Sequence, residues 1–361
     1  LPEEKIGKSI ELIAGMSMLQ SILLNTEESE RWYEELIKME GTLSGSEKRS
    51  ARGWLVYLDI SLPQRGSTAL ADVLKNAAAL LMNRKITLPE FSVTSNLPSQ
   101  MNGGKDFCEW SKRDKELAKG IGKLLEFVLG KYGKGLINLA LAESFLEKGG
   151  DSYEIANLAN KGMLQAQAGG KIEQCFVAVG ILSWLHVLNQ DVEDAEELLA
   201  NFRKKVEKEG AIKLLPNLIA LQTRIGLYRG RVAQVLEWQE QAPNEELEFT
   251  IMERFRYLTK VRNYLLTGKY EKAVSLLQRL LYYAQVMERT YIGMEAELLL
   301  AITQYRMGNP QWDEIFRKTL TEAESYHFVR LISREGAAVN RLLKETKWKS
   351  EDSGFKQAIL T

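Results

Sequence analysis

LTKVRNYLLTGKYEKA, residues 258–273, holds the end of one helix, a turn and the start of a second helix. Just upstream, Tyr257, Val261 and Tyr264 recur at spacings of four and three, which places them on one helical stripe. Gly268 ends that helix, because glycine enters the left-handed conformation beyond a helix C-terminus at no steric cost. Ala273, Leu277 and Leu280 then repeat the same spacings. The small Ala273 lets the two helices approach closely. One such hairpin cannot bury its stripe alone and must stack on neighbours.

The unit recurs. Turns at Gly150, Gln190, Gly230, Gly268 and Gly308 lie 40, 40, 38 and 40 residues apart, a period that marks a helical solenoid. Ile155, Ala159 and Gly162 follow the first turn, and Ala195, Leu199 and Phe202 the second. After Gly308 the register slips by one, to Trp312 and Phe316, with Pro310 opening the helix. After Gly230 the second helix is short and stops near Pro243. Upstream, residues 25–39 and 67–81 read as second helices, with a turn at Gly66. Residues 83–107 hold Pro89, Pro98, Asn102, Gly103 and Gly104 without periodicity and read as an irregular inserted loop. A helix is expected over 106–129 and a last strong one over 327–345, with a frayed tail after Trp348. The expected fold is all-α: one domain over 1–361, a right-handed superhelix (α-solenoid) of seven or eight hairpins, about 40 residues per repeat.

Composition narrows the function classes. Lys plus Arg equal Asp plus Glu at 48 each, and this neutrality argues against direct nucleic-acid contact. Two cysteines, Cys108 and Cys175, make neither a disulfide framework nor a zinc site and fit a reducing cytoplasm. No apolar run is long enough for a membrane span. The start, LPEEK, lacks a signal-peptide core and an initiator Met, so the chain reads as a fragment of a larger protein.

Catalytic chemistry finds little footing. Gly130-Lys-Tyr-Gly-Lys-Gly135 is glycine-rich, but Leu136 stands where a phosphate loop needs lysine. Gly104-Lys105 is followed by Asp106 where a hydroxyl is required. His186 and His327 have no partner at ligand spacing. The tryptophans fall at helical positions and read as core. No catalytic residue, metal or cofactor is expected.

The hairpins resemble tetratricopeptide (TPR) repeats lengthened from about 34 residues. Residues 258–273 further resemble the sensor region of large LuxR-type transcriptional regulators of the MalT-like group. So do 138–150 (NLALAESFLEKGG), 98–110 (PSQMNGGKDFCEW) and 328–336 (FVRLISREG). The resemblance implies a superhelix that senses a small inducer and helps set self-association. It also implies nucleotide-binding and DNA-binding modules elsewhere in the full-length chain.

One polar constellation fits that role. Arg224 and Arg262 each lie six residues before a turn, while Asn217 and Glu295 each lie thirteen before theirs. The difference of seven is two helical turns, so all four share one side of their helices. In TPR-like hairpins that side lines the concave groove. Arginine forks suit carboxylate or phosphate, and Asn and Glu suit hydroxyls. The same residues could instead bridge repeats. The expectation is a cytoplasmic sensor domain that binds a small-molecule inducer or a protein partner, or else a structural TPR scaffold.

Overall fold

The computed structural model describes residues 3–65, 95–101, 103, 106, 108–350 and 352–360. Among them there is no strand. The α-helices of five or more described residues, in chain order, are α1 (Ile10–Ile22), α2 (Thr26–Thr42), α3 (Gly45–Ser61), α4 (Asp114–Leu129), α5 (Leu136–Glu147), α6 (Ser152–Gln167), α7 (Ile172–Leu188), α8 (Val192–Lys208) and α9 (Leu215–Tyr228). They continue with α10 (Val232–Gln241), α11 (Arg254–Leu266), α12 (Tyr270–Val286), α13 (Thr290–Arg306), α14 (Trp312–Tyr326), α15 (Val329–Ser333), α16 (Ala337–Glu345) and α17 (Ser353–Leu360). Helices α5 to α14 pair into successive hairpins, each packed on the next, as a helical solenoid requires. The expected turn at Gly66 and the expected helix over 67–81 lie outside the described residues.

One backbone device builds the hairpins. Gln190, Gly230, Gly268 and Gly308 have φ of 68°, 66°, 70° and 71°. The next residue then donates its N–H five residues back: Asp191 to His186 (2.8 Å), Arg231 to Gly226 (3.1 Å), Lys269 to Tyr264 (2.9 Å) and Asn309 to Gln304 (2.9 Å). This caps carbonyls that the helix end leaves without partners. In the first hairpin the left-handed residue is Gly149 (φ 70°), not Gly150, which instead makes the returning bond to Phe145 (2.8 Å). The first repeat therefore runs one residue longer than the sequence spacing suggests.

The stripes bury as their spacing requires. Tyr257, Val261 and Tyr264 face Ala273, Leu277 and Leu280 in one core, and Ala195, Leu199 and Phe202 enter the next. Gly162 is small for a packing reason: a Cβ there would lie 2.6 Å from Leu139 Cγ. Helices α1 to α3 pack around Trp32, Leu36 and Leu58, and Ile22 at the end of α1 joins them to the core of the later hairpins.

Three expectations need correction. The helix expected over 327–345 is broken into α15 and α16, because Gly336 takes φ 52° between them. The tail does not fray: α17 buries Phe355 and Ile359. The helix expected from 106 begins as one turn over Cys108–Ser111 and restarts at α4.

The described part of the inserted loop, from residue 95 on, does not lie on the surface. Leu97, Ser99, Gln100 and Met101 are buried, so this strap crosses the interior of the solenoid. Apart from a turn in which Gly103 donates its N–H to the carbonyl of Gln100 (2.9 Å), side chains supply the partners of its backbone. Asn217 donates to the carbonyl of Asn96 (3.0 Å), Arg254 and Arg289 to that of Gly103 (2.9 and 2.7 Å). Glu143 accepts the N–H groups of Gln100 (2.7 Å) and Met101 (3.3 Å) and the hydroxyl of Ser99.

Candidate ligand cavity

The first helices of the hairpins, α5, α7, α9, α11 and α13, surround a cavity of about 380 Å³. Pro98 and Ser99 of the strap form part of its wall, and residues 331–338 close it from the C-terminal side. One register position serves every hairpin. Glu143, Trp184, Arg224, Arg262 and Ile302 each stand six residues before their left-handed turn residue, and all five line the cavity.

Two ion-pair clusters occupy this wall. Arg224 and Arg262 both bond Glu295 Oε1, at 3.1 and 3.0 Å, and Arg262 also bonds Glu335. Arg334 reaches across to Glu147 on α5, to the Tyr291 hydroxyl (3.1 Å) and over the Trp184 ring (5.0 Å). The carbonyl of Arg334 accepts the Tyr228 hydroxyl. The C-terminal segment is thus tied to α5, α7, α9, α11 and α13 at once.

Burial and charge pull against each other here. Burial lowers the pKa of Arg224 to about 10, and Glu295 only partly offsets it. Burial acts in the same direction on Arg262, but Glu335 and Glu295 outweigh it and hold that guanidinium above its ordinary range. Burial favours a neutral Glu295, yet its two arginines win and lower its pKa. Glu143 has no arginine partner. Burial raises it to about 7 in spite of the three bonds it accepts from the strap.

The four residues singled out from the sequence part company. Arg224, Arg262 and Glu295 meet in one network on the cavity wall, bridging repeats as they line it. Asn217 does not line the cavity; it holds the strap. Sequence spacing missed Glu143, because a turn placed at Gly150 put it seven residues away rather than six. It missed Glu147, Arg334 and Glu335 because they come from helix ends off the chosen register. Another signal did contain them. The four stretches that resemble regulator sensor regions each contribute to this cavity: Ser99, then Glu143 and Glu147, then Arg262, then Arg334 and Glu335.

The remaining candidates fall elsewhere. Gly130 and Gly135 cap α4 and α5 in an interhelical linker, and Cys108 and Cys175 are buried thiols. His327 is the left-handed cap of α14. His186 is the surprise: its ring lies with Asp191 and Asp194 in a group of ligand atoms all within 4.8 Å of one another. Both aspartates are exposed, and the group does not line the cavity.

A family model described as MalT-like TPR region matches residues 140–349, more than half of the 361. The chain belongs to this family. No curated protein matches it. The match places nearly the whole cavity within the MalT-like TPR region; of the wall residues, only Pro98 and Ser99 of the strap lie outside it. No described helix is long and apolar enough to cross a membrane.

Proposed function

We propose that this MalT-like TPR region is the sensor domain of a larger cytoplasmic LuxR-type transcriptional regulator, and that a small-molecule inducer binds in the central cavity. In this reading no bond is made or broken. Nucleotide-binding and DNA-binding modules elsewhere in the full-length chain read out the state of the solenoid. One observation carries the proposal: the cavity wall is assembled from five hairpins, the strap and the returning C-terminal segment. A ligand there touches elements far apart in sequence. Its differential affinity for closed and open arrangements would shift the population between them.

Ala337 is an exposed wall residue at the start of α16, so a bulky side chain in Ala337→Trp is expected to obstruct the cavity rather than the core. A metabolite library screened by thermal melting should contain a compound that stabilises the wild type. At about 100 times its Kd, such a ligand adds about 2.7 kcal/mol. Ala337→Trp should melt within a few degrees of wild type and lose that response. Equal stabilisation of both proteins would remove the cavity from the mechanism.

A second reading, a scaffold that grips a partner segment or another copy of itself, draws on the strap. Asn217, Arg254 and Arg289 hold it by backbone carbonyls, as a groove would hold a peptide. Because the chain's own segment occupies that track, the small-molecule reading fits the remaining cavity better.

A further inference from the structure

The ligand class follows from which polar groups of the wall already have partners, given that the cavity is the ligand site. Arg224 directs Nε to Thr259 (2.7 Å), Nη1 to Glu295 (3.1 Å) and Nη2 to the carbonyl of Phe255 (2.9 Å). Arg262 directs Nη1 to the carbonyl of Leu258 (2.9 Å) and its other nitrogens to Glu295 and Glu335. Arg334 holds Tyr291 and Glu147. These guanidiniums are turned toward protein partners, so the arginine forks that the sequence offered for an anion are already engaged.

The carboxylates differ. Glu295 and Glu335 receive their arginines through Oε1 alone. Glu147 is 2% exposed, lines the cavity, and has an Oε2 without any hydrogen-bond partner. A buried carboxylate oxygen without a donor is costly, and such a group calls for an explanation. Beside these acceptors and the paired guanidiniums the wall has the apolar Leu146, Ile181, Leu227 and Ile302, and a fourth arginine, Arg306, bonds the carbonyl of Leu265 (2.7 Å).

We propose that the cavity takes an organic ammonium ion: a small amine with an apolar body, its N–H groups directed to Glu147 and to the second oxygens of Glu295 and Glu335. An ammonium offers three donors and no acceptor, which complements a wall with spare lone pairs. A polyol would bury many hydroxyls against leucine and isoleucine without partners. An anion would meet carboxylate oxygens.

The test compares near-isosteres on the unmodified chain by calorimetry and thermal melting: 2-phenylethylamine, 2-phenylethanol and phenylacetate, with xylitol as the polyol. The amine should bind at least about tenfold more tightly than the alcohol, the acid and xylitol, since a charge-assisted bond exceeds a neutral one by about that factor. In Glu147→Gln the preference for amine over alcohol should shrink about tenfold, while the alcohol's Kd stays within about twofold of its wild-type value. The wild-type ranking needs no variant, so a poorly folded Glu147→Gln would not spoil it. Binding of the acid, the alcohol or xylitol as tightly as the amine overturns the class, as does no binding by the amine. If a library metabolite still depends on Ala337 in that event, the cavity reading stands and only the ligand class has failed.

Discussion

Glu143 feels two opposing forces that a single substitution can separate. Three donors from the strap favour its charged form, and burial without a cationic partner favours the neutral one. Burial wins, lifting it from an ordinary 4.5 to about 7. The folded state therefore binds this proton more tightly than the unfolded chain. Below pH 4.5 both states hold the proton; between 4.5 and 7 only the folded state does, so stability falls as pH rises, and above about 7 the penalty is constant. Each pKa unit is worth about 1.4 kcal/mol. In Glu143→Gln the side chain is neutral at every pH, its carbonyl still accepts from Gln100, and its amide can donate to Ser99. Urea denaturation should find the two proteins alike below pH 4.5 and the variant progressively more stable up to about pH 7. A difference that does not change with pH would reject this account. The sequence pattern contained the rule that places Glu143, since every residue six before a turn faces the cavity. What hid it was a Gly149-Gly150 pair, where either glycine can adopt positive φ and only packing chooses.

At the scale of elements, the strap is the part least legible in sequence. Hairpins announce themselves by apolar spacing and by a residue that tolerates the left-handed turn. Three of the turns between hairpins use the same device, at Gly210, Glu288 and His327, and two of those lack the glycine that would mark it in sequence. The strap has no period at all, and its path is set by side chains distant in sequence. It passes close against the solenoid at Gly180 on α7. A Cβ there would stand 2.3 Å from the carbonyl oxygen of Pro98, a backbone atom that can yield only if the strap moves. Gly180→Ala should destabilise the protein by about 1–3 kcal/mol. It should also speed hydrogen exchange at the buried Gln100 and Met101 amides by at least about tenfold. Gly293→Ala on α13 is the control. Its Cβ would meet only Ala284 Cβ at 3.6 Å, so removing a mid-helix glycine should stabilise by about 0.5–1 kcal/mol. Unchanged exchange at Gln100 and Met101 in Gly180→Ala would mean that the strap is not held by this fit.

The whole molecule departs from an open solenoid not only through the strap but also through Arg334. In an open array each repeat contacts only its neighbours, so damage at one end stays at that end. Here Arg334 follows the last hairpin yet pairs with Glu147 in the first, with Tyr291 in α13 and with the ring of Trp184 in α7. α15 packs directly against α5. The spacing of repeats cannot reveal such closure, because a period fixes neighbours and leaves the curvature to packing. Arg334→Ala leaves the Glu147 carboxylate buried without its cation, a loss on the order of 3–5 kcal/mol. Adding Glu147→Gln should recover at least about 1 kcal/mol of it, since the two substitutions share one interaction. The decisive readout is regional. If the ring is closed, Arg334→Ala should raise amide exchange in α5, while Arg341→Ala, an exposed change on α16, should leave α5 as it was. An α5 that exchanges at the wild-type rate in Arg334→Ala would show that the first and last repeats behave independently. A ligand in the cavity would then have no closed ring to stabilise, and the sensor mechanism would lose its mechanical basis.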